Sequence, residues 1–264
     1  MDLNMRTESE RQEAVHGFNG GVKTYDNKPD YPEELINIII SKVNLTAGSK
    51  LLEIGSGTGR ATVQFADLGF EIVCIEPGIN MIERAKTKLK DKSIEFIASR
   101  FEDYAEPPEY FDAVISAQAW HWVSQPIGFE KCANTLKKGG YLAPFWNLNL
   151  FCLDVDLDRE LWAIIDKYSG QVSCMPEENY PPRMESITSN IAGSGLFSKP
   201  EVMHFYKENN FTADGYYTYM SGGSGLDITD AEKQACQEEL TQLAEKYNGI
   251  KRNFHYELYL TQKI

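Results

Sequence analysis

Apolar residues along this 264-residue chain recur with two different periods. Short apolar runs at Lys50–Ile54, Glu71–Glu76, Ser93–Ala98 and Phe111–Ser116, and a further one entered at Tyr141-Leu142, predict five strands. Near-continuous runs of this kind suit a parallel sheet covered on both faces. Between them, helix-like spacing predicts helices over Glu33–Lys42, Ala61–Leu68, Asn80–Lys90 and Ile127–Lys137. A short helix from about Arg6 to Asn19 comes first, closed by Gly17, Gly20 and Gly21. After the fifth strand, Leu157, Leu161, Ile164, Ile165 and Tyr168 share one face of a helix over Val155–Tyr168. A polar stretch with Pro176, Pro181 and Pro182 leads to a helix ending near Gly193 and Gly195. Glu201–Phe211 alternates as a sixth strand should. Helices over Thr212–Tyr219 and Asp230–Tyr247, split by the glycine-rich Ser221–Gly225, precede a last strand over Asn253–Gln262. Strands alternating with helices imply an α/β protein with right-handed crossovers. Any site then lies at the carboxyl ends of the strands, beside the topological switch point.

The first strand runs straight into Gly55-Ser56-Gly57-Thr58-Gly59-Arg60. Glycines at alternate positions let the backbone turn sharply and approach a ligand closely. Thr58 is the predicted cap of the next helix. A dinucleotide fingerprint starting at Gly55 needs a third glycine at position 60, where Arg60 stands. Glu53, near the strand's end, would repel a pyrophosphate and suits a ligand bearing an ammonium or sulfonium. Both features disfavour a dinucleotide-dependent oxidoreductase, which is kept as the minor alternative. Glu76 closes the second strand 19 residues beyond Gly57. That is near the offset of about 20 residues at which a carboxylate meets a ribose diol in such folds.

The pattern acidic-x-Gly-x-Gly-x-Gly resembles motif I of the class I S-adenosylmethionine (SAM)-dependent methyltransferases. Other segments agree. Tyr25-Asp26-Asn27-Lys28-Pro29-Asp30-Tyr31-Pro32 resembles the Y-D-x-x-R-P-x-Y-P lid segment, with Lys28 where relatives carry arginine. Glu76-Pro77-Gly78 and Met81 resemble the second motif, and Phe111-Asp112-Ala113-Val114 the F-D-x-V element. The run Ser116 to Trp122, with His121-Trp122 at its end, is similar to the S-x-x-x-x-H-W form of the type 11 branch. Leu136-Lys137-Lys138-Gly139-Gly140 resembles the L-K-P-G-G turn, with Lys138 in place of proline.

The resemblance implies a Rossmann-like seven-stranded sheet of order 3-2-1-4-5-7-6, its last strand antiparallel. Residues 1–264 would form one domain, with 1–45 as lid and first helix and 46–146 as the SAM-binding core. Helical additions at 151–190 and 212–248 would cover the acceptor pocket over the C-terminal strand edge. Implied cofactor contacts are Tyr25, Lys28, Glu53, Gly55, Ser56, Gly57, Gly59, Glu76, Pro77, Met81, Phe101, Glu102, Ala117 and Gln118. Asp103 competes with Glu102 for the place near the adenine amino group. His121 is the candidate general base, and Trp122 and Trp146, with Trp120, are candidates for an acceptor pocket. The implied reaction is in-line methyl transfer from SAM to a small-molecule acceptor. A SAM-binding regulatory protein without turnover is the main alternative.

Composition narrows the partners. A formal net charge of −13 gives a long polyanion little to bind, so nucleic acid is not expected. The five cysteines are scattered without metal spacing and read as reduced thiols, and no metal is expected. Met1 to Glu13 is charged and lacks the apolar core of a signal peptide. No run reaches the ~18 apolar residues of a membrane span. The expectation is a soluble cytoplasmic protein with no membrane partner. His16, His204 and His255 show no partner pattern and receive no role.

Overall fold

The computed structural model describes residues 7–20, 22–105, 107–168, 175–176, 181–221 and 228–264. Expectations on Arg6, Gly21, Cys174 and most of Ser221–Gly225 fall outside these. Helices α1 (Glu8–Gly20), α2 (Val22–Tyr25) and α3 (Glu33–Val43) precede β1 (Lys50–Ile54). Then come α4 (Thr62–Phe65), β2 (Glu71–Glu76), α5 (Ile79–Lys88), β3 (Ile94–Ala98), β4 (Phe111–Ala117), α6 (Ile127–Thr135) and β5 (Leu136–Asn147). The C-terminal part holds α7 (Asp156–Tyr168), α8 (Pro181–Gly193), β6 (Glu201–Phe211), α9 (Ala213–Met220), α10 (Asp230–Tyr247) and β7 (Ile250–Gln262). A two-stranded ribbon pairs Leu150-Phe151 with Met175-Pro176.

The main sheet has the order β3-β2-β1-β4-β5-β7-β6, as the sequence predicts. Strands β1 to β5 run parallel, with Leu52 beside Val73 on one flank and Val114 on the other. β7 inserts antiparallel between β5 and β6, pairing Leu258 with Phe145 and with Met203. Alternation along each strand builds two cores. On one face Leu35, Ile36 and Ile39 of α3 and Phe65 of α4 pack on Leu51, Cys74, Ala113, Phe145 and Leu258. On the other, Phe129 and Cys132 of α6 and Ile187 and Ile191 of α8 cover Leu52, Val114, Leu142, Trp146 and Tyr259.

Helix α4 ends at Phe65 and α5 at Lys88, short of the expected Leu68 and Lys90, and three further differences have a visible cause. Thr58 does not cap α4; its hydroxyl donates to Asp26 Oδ1 at 2.6 Å, and α4 starts from Ala61 without a side-chain cap. α6 stops at Thr135, because the Leu136–Gly140 run already pairs as strand, and the β4–β5 register shifts between Phe111 and Ala113. β7 starts at Ile250, three residues before the predicted Asn253, since Asn248 ends α10 in the left-handed region (φ 54°) and Gly249 follows at φ 106°. Thr229 and Glu232 form a capping box at the other end of that helix.

Helices α7, α9 and α10 bury Leu161, Ile165, Tyr216, Cys236 and Leu240 against one another, with Phe151 and Ile250 beneath. Arg252 of β7 ties this cluster to the sheet. Only 1% exposed, its guanidinium donates to Asp158 Oδ1 at 2.5 Å and to the Leu150 carbonyl at 2.7 Å, and stacks 3.6 Å from the Phe151 ring centroid. No helix among the described residues is long and apolar enough to cross a membrane. Removing one partner of a buried ion pair strands the other in a poor solvent. Arg252→Ala is therefore expected to lower stability by about 3–5 kcal/mol, read from the midpoint of urea unfolding followed by far-UV circular dichroism.

Candidate functional site

The turn after β1 works as its glycines require. Gly55, Gly57 and Gly59 hold φ of +71°, +56° and +76°, in the left-handed region that other residues rarely adopt. A Cβ on Gly55 would lie 2.3 Å from the Cβ of Ala119, so the turn abuts the residues just after β4. A Cβ on Gly57 would approach the Tyr25 ring to 3.5 Å. Glu76, at the end of β2, is 9% exposed and reaches across to this turn. Its Oε2 accepts the Gly57 N–H at 2.9 Å and its Oε1 the Gly78 N–H at 2.8 Å. Burial raises its pKa, and the two backbone donors hold that rise in check. Each oxygen keeps a further lone pair for a ligand.

Glu76 stands in the wall of a cavity of about 300 Å³ at the carboxyl end of the sheet. Of the predicted site residues, Tyr25, Gly55, Gly57, Glu76, Pro77, Met81, Phe101, Glu102, Ala117, Gln118 and Trp122 line it. Between the two acids after β3, Glu102 is the one that does. Its Oε1 accepts the Ser124 N–H at 2.7 Å and lies 3.3 Å from Arg100. Burial raises its pKa, but the Ser124 bond and the Arg100 charge leave it below the usual range. Gln118 takes a left-handed φ of 60° and donates through Nε2 to the Asn147 carbonyl at 2.9 Å, bridging the ends of β4 and β5.

Lys28, Glu53, Ser56, Gly59, His121 and Trp146 are not among the lining residues, and most have a visible reason. Glu53 shares the strand face of Leu51, turned toward α4, where its Oε2 accepts the Thr62 hydroxyl at 2.6 Å. Burial, with the nearby Glu76 charge, pushes its pKa up to about 8. A carboxyl raised in this way and bonded to Thr62 is a weak partner for a cation in the cavity. A Cβ on Gly59 would meet Leu89 at 2.8 Å, so this glycine serves packing of the turn on the end of α5. Lys28 lies 4.5 Å from the Tyr25 ring centroid, behind that ring, and burial beside Arg60 lowers its pKa to about 8. Ser56 is buried in the turn. His121 accepts the Trp146 indole N–H on Nδ1 at 3.0 Å. Trp146 is 1% exposed and packs edge-on against Tyr259 at 5.5 Å, so it is core, as is the fully buried Trp120.

The sequence reading missed Arg11, Gln12, Val15 and His16 of α1, which roof the cavity, and Ser99, Arg100, Ala119 and Val123 in its walls. Positions 11, 12, 15 and 16 share one helix face. That face carries a single apolar residue, Val15, so no stripe announced it. No described residue between 151 and 190 or between 212 and 248 lines this cavity, to which α1 contributes Arg11, Gln12, Val15 and His16.

A sheet of this order, with a glycine turn after β1 and an acid closing β2 against one cavity, defines the class I methyltransferase architecture. Residues 52–143 match the model of a methyltransferase domain of type 11. An uncharacterised methyltransferase of Mycobacterium bovis is 28% identical over 138 residues, 52% of this chain and 54% of that one. A protein of Saccharomyces cerevisiae named as a probable S-adenosylmethionine-dependent methyltransferase is 35% identical over 128 residues, 46% of this chain and 43% of that one. The solved structure of a candidate type II methyltransferase from Anaeromyxobacter dehalogenans superposes with a TM-score of 0.61 at 19% identity, covering 89% of this chain and 96% of that one. The chain spans about half the length of the curated relatives it matches. Over residues 52–143, from β1 into β5, the chain is thus similar to methyltransferase domains of type 11.

The Glu53 geometry has a pH signature. Its carboxyl has an ordinary pKa of 4.5 when the chain is unfolded and about 8 in the fold. Below both values it costs nothing; as pH rises between them, the unfolded chain releases the proton and the native state does not, so stability is lost. Unfolding in urea at about pH 5 and about pH 8 should show Glu53→Gln gaining on the wild type as pH rises, by at most about 1.4 kcal/mol per pH unit.

Proposed function

We propose that this chain is an enzyme that transfers the methyl group of SAM to a small-molecule acceptor. One observation carries the reading: the buried Glu76 carboxylate is aimed into the cavity and locked by the Gly57 and Gly78 N–H groups. A charged acceptor held in that way suits the paired hydroxyls of a ribose. The surrounding residues fit the rest of an adenosyl ligand. Met81 and Phe101, both 2% exposed, offer apolar surface for a base, and Glu102 offers an acceptor beside it. Gly55 and Gly57 admit close approach where a Cβ would intrude.

Bound SAM supplies an activated methyl group on a sulfonium centre. The chain's part is then to hold and orient the ligand and to exclude water, with α1 and Tyr25 closing the cavity from above. The reaction we infer is an in-line displacement. His121 Nδ1 is engaged by the Trp146 indole and His121 is not among the lining residues, so we assign it no proton transfer. A carboxylate acceptor would need no base, whereas a hydroxyl or ammonium acceptor would. The net charge of −13 supports a small acceptor over a nucleic acid.

Calorimetric titration with S-adenosylhomocysteine tests this directly. Wild-type protein should bind it, and Glu76→Ala should lose on the order of 3 kcal/mol, about two hydrogen bonds to a charged group. Glu76→Gln, which keeps the shape without the charge, should fall between the two. No binding by the wild type contradicts the proposal. Binding with no demethylated product across a broad acceptor panel would instead identify a regulatory binding protein of the same fold.

A further inference from the structure

The prolyl segment ahead of α3 resembles a lid, yet its bonds are those of a fixed wall. Side chains just after the glycine turn hold it along its length. Thr58 donates to Asp26 Oδ1 at 2.6 Å, Arg60 to the carbonyls of Lys28 (2.8 Å) and Pro29, and Gln64 to the Tyr31 carbonyl at 3.0 Å. From α5, Arg84 and Lys88 reach the same Asp26 carboxylate at 2.7 and 2.8 Å. From β7, the Tyr256 hydroxyl donates to the Asp30 carbonyl at 3.2 Å. Tyr31 is 4% exposed, with its ring edge-on to Phe145 at 4.9 Å. Lifting this strap would break several charge-assisted bonds together and leave the buried Arg60 without the carbonyls it serves.

Helix α1 is held quite differently. None of its described side chains is buried, and only Arg11 and Val15 are even half-buried. Two polar tethers fasten its N-terminal half. Arg11 Nε donates to the Trp122 carbonyl at 3.0 Å, and Glu8 pairs with Arg100, their side chains 50% and 29% exposed. An exposed ion pair contributes little and is screened by salt. Segments with few buried contacts are the ones that open locally. Helix α1 also runs beside α5 and α2, and with few of its described side chains even half-buried it supplies Arg11, Gln12, Val15 and His16 to the cavity roof.

We propose that ligand enters and leaves the cavity by release of α1 alone, while residues 26–31 stay fastened to the glycine turn, and that the Glu8–Arg100 pair sets how readily α1 lifts. Arg100 also lies 3.3 Å from Glu102, so the tether joins the roof to the wall that we assign to the adenine. Asp26 and Arg60 are in this account positioning residues, which keep Tyr25 over Gly57 whether or not ligand is present. The inference rests on the adenosyl-ligand reading above.

Amide hydrogen exchange and stopped-flow release of S-adenosylhomocysteine, followed by tryptophan fluorescence, test it on the full chain. In the free protein, amides of α1 should exchange fast and those of residues 26–31 slowly; ligand should slow the first set severalfold and leave the second unchanged. Glu8→Gln should speed ligand release about two- to fivefold. High salt should do the same to the wild type and add nothing to the variant. Strap amides exchanging as fast as those of α1, or a release rate indifferent to both Glu8→Gln and salt, would overturn the inference. Calorimetry on the same samples separates the two levels: no binding at all defeats the cofactor reading, whereas binding without these kinetics defeats only the gate.

Discussion

The Glu76 carboxylate, gripped by the amides of Gly57 and Gly78, is the contact on which the site depends. It joins the end of β2 to the turn after β1, so two neighbouring strands present one surface to a ligand. The bond needs a backbone N–H of Gly57 that faces β2, and the left-handed φ of 56° at that glycine belongs to the turn that provides it. It also needs a carboxylate that stays charged although buried, and the two backbone donors favour that form. The Cβ-free approach at Gly55, the packing of Gly59 on Leu89 and the placement of Tyr25 over Gly57 all follow from the same turn.

Around that contact the molecule divides into parts of unequal stiffness. The sheet and its two apolar faces fix the walls, and the strap over residues 26–31 is bolted to them through Asp26 and Arg60. The roof is a polar helix resting on Arg11 and Glu8. The C-terminal helices form a third apolar cluster of their own, joined to the sheet through the buried Arg252. Such a layout fastens the strap end of the cavity by many polar bonds and the roof, among the described side chains, by fewer.

How much of this was legible in the sequence depended on how local each feature is. Strand order and the placing of the glycine turn came from runs and spacings that need no tertiary knowledge. Glu76 was readable from its offset to Gly57, because both positions are set by strand length. The side of the sheet that Glu53 faces was not legible from its spacing, for a reason of parity. Glu53 stands one residue from Ile54, which lines the cavity, and adjacent strand residues point to opposite faces, so an acid at that position belongs to the α4 side. The bond that His121 makes was not legible because its partner, the Trp146 indole, is 25 residues away on β5. Which residues of α1 would face the cavity was not legible, because that helix face carries Val15 as its one apolar position.

The most direct measurement is a crystal structure of the protein grown with S-adenosylhomocysteine. The account predicts the ribose hydroxyls within hydrogen-bond distance of Glu76, the Gly57 and Gly78 donors still in place, and Glu53 still bonded to Thr62 without touching ligand. An adenosyl group bound elsewhere, or one whose ribose makes no contact with Glu76, would contradict it.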